Sequence, residues 1–336
     1  MKAVGYYKAG QIQNPDSLVD LVLPTPVLQP HDLLVRVHAV SVNPVDTKVR
    51  MSTTPAGGDA KVLGYDAAGV VEAVGPRTSL FKPGDEVFYA GDITRQGTNA
   101  ELHAVDERLV GRKPASLDWA AAAALPLTSI TAWEALFDRL DVRRPVAGAN
   151  AILIVGSGGV GSIAIQLVKA MTGLTIVTTA SLPEGEARAR SLGADYVVDY
   201  RQPLDEAYAR TGIGSPGFVF STTHTKEHLP EIGRLIAPQG RIACIDDPDT
   251  LDVVDLKSKM LSVHWEFMFG RSMYQTADMI EQHRLLNEVS ALVDARRVVS
   301  TMTERLSPIS AATLREAHAR VEAGTARGKI VLEGWP

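Results

Sequence analysis

The stretch that decides the fold is Ala151-Ile152-Leu153-Ile154-Val155-Gly156-Ser157-Gly158-Gly159-Val160-Gly161. Five apolar residues, typical of a buried strand, lead directly into a glycine turn of the form G-x-G-x-x-G. The following residues, Ser162–Met171, place apolar side chains on one face of a predicted helix. A glycine-rich linker would lack both flanks. The order of strand, turn and amphipathic helix therefore predicts a dinucleotide-binding turn.

Each glycine of this turn has a separate physical task. Gly156 permits the tight turn, Gly158 lets the backbone approach a pyrophosphate, and Gly161 allows close packing of the helix on the strand. The helix N-terminus supplies free N–H groups and a partial positive charge to the phosphates. We expect the cofactor phosphates to be bound by Gly156, Ser157, Gly158, Gly159, Val160 and Gly161.

The second predicted strand, Leu174–Thr179, indicates which nicotinamide cofactor is bound. A carboxylate after this strand would bind the ribose 2′-hydroxyl of NAD and repel the 2′-phosphate of NADP. The first acid here is Glu184, so the sequence favours NADP(H). Candidate partners of the phosphate are Ser181, Arg188 and Tyr200. A solvated position on a helix surface explains Arg188 equally well.

Strand and helix candidates alternate after the glycine turn. A helix is predicted at Glu184–Leu192, with strands at Tyr196–Asp199, Gly217–Phe220 and Arg241–Ile245. Alternating strands and helices predict an α/β fold with a doubly wound parallel sheet of the Rossmann type. The first third of the chain instead contains short alternating runs, which predict a small β-barrel. Further helices are predicted at Trp119–Leu125, Ile130–Leu140 and Tyr274–Val293, and a final strand at Gly328–Glu333.

The composition of the chain excludes several classes of protein. It has 336 residues, 34 Lys+Arg against 39 Asp+Glu, a formal charge of −5 and one cysteine, Cys244. This length suits two domains, and the charge argues against a nucleic-acid or anionic-membrane partner. One cysteine can form neither an intramolecular disulfide nor a thiolate-rich structural zinc site. Because it falls in an apolar strand, Cys244 is expected to be an inert core residue.

The sequence contains no pattern typical of a targeting segment. The start, Met1–Lys8, lacks the apolar region of a signal peptide and is typical of a strand. A long uncharged run, Ala151–Val168, is interrupted by glycines and serines and is explained by the glycine turn. We therefore expect a cytoplasmic protein.

These segments together resemble the medium-chain dehydrogenase/reductase superfamily over essentially the whole chain. Besides the glycine turn, the resemblance is carried by Ser41-Val42-Asn43-Pro44-Val45-Asp46, Gly64-Tyr65-Asp66-Ala67-Ala68-Gly69, Phe81-Lys82-Pro83-Gly84-Asp85 and Gly328-Lys329-Ile330-Val331-Leu332. It implies a split GroES-like β-barrel catalytic domain, residues 1–125 and 271–336, interrupted by a Rossmann domain, residues 126–270. It also implies a homodimer paired through edge strands of the Rossmann sheet.

Zinc alcohol dehydrogenases of this superfamily carry a cysteine in the first of these segments and Gly-His-Glu in the second. This chain has Ser41 and Asn43 in the first and Gly64-Tyr65-Asp66 in the second. The four-cysteine lobe is replaced by Ala90–Gly97. The chain thus resembles the zinc-independent quinone oxidoreductases, within a branch often labelled zinc-type alcohol dehydrogenase-like, and no metal is expected.

The resemblance implies roles for four residues. In quinone oxidoreductases the residue matching Asn43 lies at the nicotinamide–substrate pocket, and the residue matching Thr131 lies beside the nicotinamide. Residues that lie near the cofactor in those enzymes match Tyr200 and Lys329. Those enzymes often carry a lysine where this chain has Gly185-Glu186-Ala187, which keeps NAD open as the cofactor.

Without a catalytic zinc, as expected here, fewer hydride acceptors are suitable. Hydride transfer is carried out by the cofactor, while the protein positions the acceptor and stabilises the developing charge. Quinones and α,β-unsaturated carbonyls delocalise that charge, so hydrogen-bond donors worth about 3 kcal/mol each suffice. We expect these donors to be Asn43, Tyr65 and Thr131. Asp66 either orients Tyr65, accepts from the cofactor or caps a local turn, and His264 is either a proton donor or a polar strand residue.

The sequence therefore predicts an NADPH-dependent oxidoreductase that transfers hydride to a quinone or an α,β-unsaturated carbonyl. Two alternatives stay open: an alcohol or aldehyde dehydrogenase of the same superfamily, and a non-catalytic NADPH-binding protein. One apolar run is expected either to line a substrate pocket or to belong to the core. It contains Trp265, Phe267, Met268 and Phe269.

Overall fold

A computed structural model describes residues 1–336 of the protein. Its strands, in chain order, are β1 Lys2–Tyr6, β2 Val19–Val22, β3 Asp32–Ser41, β4 Lys61–Val62, β5 Ala67–Val74, β6 Glu86–Tyr89, β7 Leu102–Asp106, β8 Val110–Arg112, β9 Ala151–Val155, β10 Thr175–Thr179, β11 Tyr196–Val198, β12 Phe218–Ser221, β13 Arg241–Cys244, β14 Ser262–Trp265, β15 Met302–Leu306 and β16 Lys329–Glu333.

The α-helices are α1 Pro44–Ser52, α2 Trp119–Ala123, α3 Pro126–Trp133, α4 Gly159–Met171, α5 Pro183–Ser191, α6 Leu204–Ala209, α7 Thr225–Leu235, α8 Gly270–Met273, α9 Glu281–Asp294 and α10 Ala311–Glu322. A π-helical segment, Glu134–Arg139, continues directly from α3. Short 3₁₀ helices occur at Pro15–Ser17, Ala56–Gly58, Glu107–Leu109 and Val254–Lys259.

The chain divides into two compact units. The first consists of Met1–Leu127 with Phe269–Pro336, and the second of Thr128–Met268. The boundaries predicted from the sequence, after residues 125 and 270, lie within two residues of these.

The first unit is built around a seven-stranded sheet of order β15-β16-β3-β5-β6-β8, with β7 also paired to β3. A second, three-stranded sheet has the order β2-β1-β4. Strand β3 lies at the centre of the larger sheet. Its side chains are therefore buried along most of its length. The register pairs Ser41 of β3 with Val331 of β16, and Val40 with Ala67 of β5. The last residues of β3 therefore lie beside the first residues of β5 and close to the start of β16, at one end of these three strands.

The second unit is a parallel six-stranded sheet of order β11-β10-β9-β12-β13-β14. With β9 counted as the first strand, this is the 3-2-1-4-5-6 order of a doubly wound Rossmann sheet. Strand β9 occupies the centre, which explains why all five of its residues are buried. Since ligands of such sheets bind outside the carboxyl ends of the strands, the turn after β9 lies where a dinucleotide would bind.

Two predicted helices differ from those observed. The long helix predicted at Tyr274–Val293 is wrong at its start, because Gln275 has the left-handed φ of 48° and α9 begins only at Glu281. The predicted helix at Ile130–Leu140 is the end of α3 followed by the π-helical segment. The amide of Leu140 there donates to the carbonyl of Ala135, five residues back. Residue periodicity does not reveal such a wider turn.

One helical run, Trp119–Arg139, is long and apolar enough to cross a membrane by length and composition alone. Of its most apolar window, 94% is buried inside the protein. Such burial is typical of a core helix, so the run is weak evidence for a membrane span. A cytoplasmic location stays a prediction.

Candidate functional site

The glycine turn of the second unit has the close packing that its sequence predicts. Gly156 adopts a left-handed φ of 95°, and its amide donates to Thr179 Oγ1 at 2.8 Å. A Cβ on Gly156 would collide with Thr222, and a Cβ on Gly161 would collide with the Gly156 carbonyl. The close packing of the turn therefore requires glycine at positions 156 and 161, whether or not a cofactor is bound.

Gly158 differs from its two neighbours because nothing of the protein fills the space beside it. A Cβ there would have no heavy atom within 4 Å, and the residue is exposed. It is also the N-cap of α4, a helix of 13 residues, and the first-turn amides of a helix have no acceptor within the helix itself. Open space beside the N-terminus of a long helix fits a dinucleotide pyrophosphate. Ser157, Gly159 and Val160, the other residues expected at the phosphates, are half-buried in the same turn.

The three candidate partners of a 2′-phosphate lie on the β10 and β11 side of the glycine turn. Ser181 and Tyr200 each follow the carboxyl end of a strand by two residues, and these strands, β10 and β11, pair in parallel. Tyr200 is 40% exposed. Arg188 is half-buried on α5, where burial lowers the pKa of its guanidinium. Glu186, which would oppose a phosphate, is paired with Arg190 at 2.9 Å.

A buried carboxylate organises the site of the first unit. Oδ2 of Asp66 accepts from Ser41 Oγ at 2.7 Å, Asn43 Nδ2 at 2.8 Å and Lys329 Nζ at 2.9 Å. Its Oδ1 accepts from the amide of Leu127 at 2.7 Å, in the first turn of α3. Four donors fully satisfy this carboxylate, which therefore caps α3 and does not orient Tyr65.

Lys329 lies within this network. Its ammonium donates to Asp66, to Asn43 Oδ1 and to the carbonyl of Val42. These acceptors account for all three N–H bonds of a lysine. The cofactor contact expected of Lys329 stays a prediction, and it would require one of these bonds to break.

Asp46 connects the two sequence segments that meet at the site. Its Oδ2 accepts the amide of Asn43 at 2.8 Å, and its Oδ1 accepts the amide of Gly64 at 3.0 Å. Burial raises the pKa of this carboxyl to about 7. Asp46 therefore fixes the Asn43 loop against the residue that precedes Tyr65.

Tyr65 carries a buried hydroxyl, a hydrogen-bond donor of the first unit that no acceptor satisfies. Its side chain is fully buried and packs edge-on against Phe269, with ring centroids 5.2 Å apart. Its hydroxyl has no hydrogen-bond partner. Burial raises the pKa of this phenol well above its usual range, so the group is a neutral donor. A buried donor without an acceptor costs roughly 1–3 kcal/mol, which a bound acceptor would recover.

The remaining predicted catalytic residues belong to the second unit. Thr131 is buried on α3. His264 is half-buried on the edge strand β14, where Nε2 lies 3.3 Å from Ser262 Oγ. Burial, together with the charges of Arg139 and Arg241, lowers the pKa of His264, so its imidazole is neutral at neutral pH. A neutral imidazole is a weak proton donor, which favours the reading of His264 as a polar strand residue.

The side chains at the zinc-ligand positions do not fit a zinc ion. Zinc is bound by thiolate, imidazole or carboxylate groups with free lone pairs. Here the carboxylate of Asp66 already has four donors, one of them the ammonium of Lys329, whose charge opposes a cation. Tyr65 would have to ionise against its raised pKa. No group of three or more His, Cys, Asp or Glu side chains could hold a metal ion.

The apolar run after β14 is divided between core and surface. Trp265 and Phe267 are each 52% exposed, whereas Met268 and Phe269 are buried. Cys244 is buried as predicted, and burial raises the pKa of its thiol to about 12, so it is unreactive.

Sequence reasoning missed the ion pair between Lys329 and Asp66. One signal in the sequence indicates burial of both charges, because Asp66 and Lys329 are each followed by apolar residues that are buried in the structure. A charge at a buried position needs a partner. Nothing in the spacing, however, pairs residues 263 positions apart.

An open glycine turn at the carboxyl end of a doubly wound Rossmann sheet is typical of a protein that binds a dinucleotide. Family models described as "Alcohol dehydrogenase GroES-like domain" and "Zinc-binding dehydrogenase" match residues 29–115 and 192–332. The zinc-type alcohol dehydrogenase-like protein SAS2087 of Staphylococcus aureus is 38% identical over 99% of each chain. The chain therefore belongs to the medium-chain dehydrogenase/reductase superfamily.

Solved structures share this fold. A Rhizobium etli CFN 42 protein, provisionally named a zinc-dependent alcohol dehydrogenase, is 61% identical with a TM-score of 0.98, covering 100% of this chain and 98% of its own. The Escherichia coli quinone oxidoreductase complexed with NADPH is 21% identical with a TM-score of 0.81, covering 99% of this chain and 100% of its own. At that identity the second likeness concerns the fold alone.

Proposed function

We propose that this protein is an NADPH-dependent, zinc-independent oxidoreductase that transfers hydride to a quinone or an α,β-unsaturated carbonyl. The observation that carries the proposal is the hydroxyl of Tyr65, a buried neutral donor with no partner, at the position of a family zinc ligand. It supplies a hydrogen bond where a zinc enzyme supplies a Lewis acid.

The chain's own residues divide the work of binding and charge stabilisation. When bound, the cofactor supplies the hydride. The glycine turn and the first turn of α4 bind its pyrophosphate, and Thr131 lies beside its nicotinamide ring. Tyr65 donates to the acceptor's oxygen. Asn43, held by Asp66 and Lys329, has one further N–H to offer the same oxygen.

The acceptor class follows from the strength of these donors. Reduction of a simple ketone concentrates charge on one alkoxide oxygen, which favours a metal. Reduction of a quinone or an enone spreads the charge over a conjugated system, so preorganised hydrogen bonds suffice. The raised pKa of Tyr65 keeps its proton in place while this charge develops.

Replacement of Tyr65 by phenylalanine tests this role. We expect Tyr65→Phe to lower kcat about 100-fold with little change in KM, because the lost donor acts in the transition state. Stability should stay the same or rise, since the hydroxyl makes no hydrogen bond in the folded protein. Steady-state kinetics and thermal unfolding measure both effects.

Tyr208→Phe is the matched control for that substitution. The Tyr208 hydroxyl donates to the carbonyl of Gly214 at 3.1 Å in the second unit. We expect this variant to lose about 1 kcal/mol of stability and to keep its kcat. An unchanged kcat in Tyr65→Phe would remove Tyr65 from the reaction.

The preference for NADPH over NADH is supported by the half-buried Arg188 and by the lack of an acid directly after β10. We expect Arg188→Ala to weaken NADPH binding by roughly 10- to 100-fold, the loss of a charged hydrogen bond. NADH affinity should change little. Arg190→Ala, which removes the surface pair with Glu186 and a hydrogen bond to the carbonyl of Asp195, is the control in fluorescence titrations. Equal losses for both nucleotides would contradict the preference.

A substrate panel tests the proposed activity as a whole. NADPH oxidation is measured with quinones and enones, and NADP⁺ reduction is measured with primary and secondary alcohols. Turnover of quinones or enones supports the proposal, whereas turnover confined to alcohols identifies an alcohol dehydrogenase. Tight NADPH binding without turnover identifies a non-catalytic nucleotide-binding protein.

The proposed enzyme acts as a homodimer. Support comes from β14, an edge strand of the six-stranded sheet, beside which Trp265 and Phe267 expose half of their side chains. An edge strand with exposed aromatic residues is an unfavourable surface for a monomer. Light scattering on the purified protein gives the mass that decides this.

A further inference from the structure

Two glutamates of the second unit are buried, although neither belongs to the site described above. Glu134 is 2% exposed and Glu266 is 4% exposed. Glu266 stands between Trp265 and Phe267, whose side chains are half exposed. Apolar side chains usually face the core and charged ones the solvent. Here the acid is buried and the two aromatic residues are exposed. Such an inversion costs stability and calls for a specific reason.

The contacts of Glu266 attach it to two neighbouring elements. Its amide donates to the carbonyl of Cys244, the last residue of β13, at 2.9 Å. Its Oε2 accepts from Nε of Arg139, in the π-helical segment, at 3.2 Å. Its side chain also forms a hydrogen bond with the carboxyl of Glu134. The other oxygen, Oε1, is buried and has no partner.

A hydrogen bond between two carboxyl groups requires a proton on one of them. Burial, and then the charge of Glu134, raises the pKa of Glu266 well above the usual range of a carboxyl. The facing cation is Arg139, whose side chain is 44% exposed. On β14 the nearest titratable group is His264, whose pKa is lowered, and on β13 Arg241 binds the carbonyls of Leu140 and Asp141. Arg139 is thus the cation that faces Glu266.

The acid pair lies next to the elements expected to hold the nicotinamide. Glu134 follows Thr131 by three residues, which places both on one face of the continuous helix. Glu266 directly follows β14, at the carboxyl edge of the sheet, where ligands of doubly wound folds bind. The pair therefore ties the helix that carries Thr131 to the strand ends of that edge.

We propose that Glu134 and Glu266, sharing one proton, are positioning residues that hold the Thr131 helix at the carboxyl end of β14, and that nicotinamide binding depends on this proton. This inference rests on the proposed function. When the proton is lost, two buried negative charges repel each other, and the helix separates from the strand end. When the proton is kept, Thr131 stays in place.

Nucleotide titrations across pH test the proposal. NADPH binding to the full chain is followed by fluorescence between roughly pH 6 and pH 10.5. We expect the wild-type affinity to fall at least tenfold toward the alkaline end. Glu266→Gln keeps a hydrogen-bonding side chain but cannot lose a proton, so its affinity should stay flat over the same range. Glu227→Gln, on the exposed surface of α7, is the control and should follow the wild type.

Thermal unfolding gives a second readout, independent of the nucleotide. A carboxyl whose pKa is raised on folding makes the folded state bind more protons than the unfolded state. Stability then falls as pH rises above the normal glutamate pKa, by at most about 1.4 kcal/mol per pH unit. Glu266→Gln should remove the part of this slope that Glu266 contributes, so that a shallower slope from Asp46 is left, and Glu134→Gln should also reduce the slope.

The two readouts separate the possible failures. Parallel pH profiles of wild type and Glu266→Gln in both measurements would overturn the shared proton. A flat binding profile with a sloping stability profile would overturn the link to nicotinamide binding. If NADPH fails to bind the wild type at any pH, the proposed function itself is wrong.

Discussion

Replacement of Gly158 by alanine is expected to weaken NADPH binding roughly 100-fold, about 2.7 kcal/mol, and to leave thermal unfolding unchanged. A Cβ at Gly158 meets no protein atom within 4 Å, and the φ of −67° there is negative, as alanine prefers. The methyl group would instead occupy the open space across which the backbone is expected to approach the pyrophosphate. Fluorescence titration and calorimetry measure the two effects.

Two further glycines provide the controls for this substitution. Gly173→Ala also adds a Cβ in open space, but in the loop after α4, and should change neither affinity nor stability. Gly161→Ala places its Cβ against the carbonyl of Gly156 and should destabilise the second unit. If Gly158→Ala bound NADPH as tightly as Gly173→Ala, the glycine turn would not be the pyrophosphate site.

Replacement of Lys329 by methionine is expected to lower the free energy of unfolding by about 3–5 kcal/mol. The substitution leaves the buried carboxylate of Asp66 without its counter-ion, although Ser41 and Asn43 still donate to it. Chemical denaturation measures the loss. A double variant, Lys329→Met with Asp66→Asn, removes both charges and should recover a large part of the stability.

An exposed ion pair is the matched control for Lys329. Lys169 and Asp195 lie 3.2 Å apart with side chains 57% and 34% exposed. Because solvent screens such pairs, Lys169→Met should change stability by less than about 1 kcal/mol. A loss in Lys329→Met no larger than in this control would mean that Asp66 does not depend on its ammonium partner.

The sequence is sufficient to predict the fold because its strongest signals are local. The strand, glycine turn and helix of residues 151–171 are adjacent in the chain, and the structure confirms the α/β class with its Rossmann sheet and GroES-like unit. Errors occur where a single residue decides the outcome. The left-handed Gln275 shortens a predicted helix, and the π-helical turn from Glu134 to Arg139 follows no simple periodicity.

The site was only partly predictable, since its contacts join distant parts of the chain. The segments holding Asn43, Tyr65 and Asp66 were identified by resemblance, but the arrangement of donors around Asp66 depends on the register of β3, β5 and β16. No local pattern reports that register. The Glu134–Glu266 pair was missed for the same reason, since 132 positions, the difference between the two residue numbers, separate the acids.

The most direct test of the account measures quinone reduction by NADPH with metal-free protein. The purified chain is treated with a chelator, its zinc content is determined by elemental analysis, and turnover is recorded before and after zinc is added. We expect the same turnover per chain before chelation, after chelation and after zinc is added, because Tyr65 and its neighbours act without a metal. Turnover that disappears with the zinc and returns when zinc is restored would contradict it.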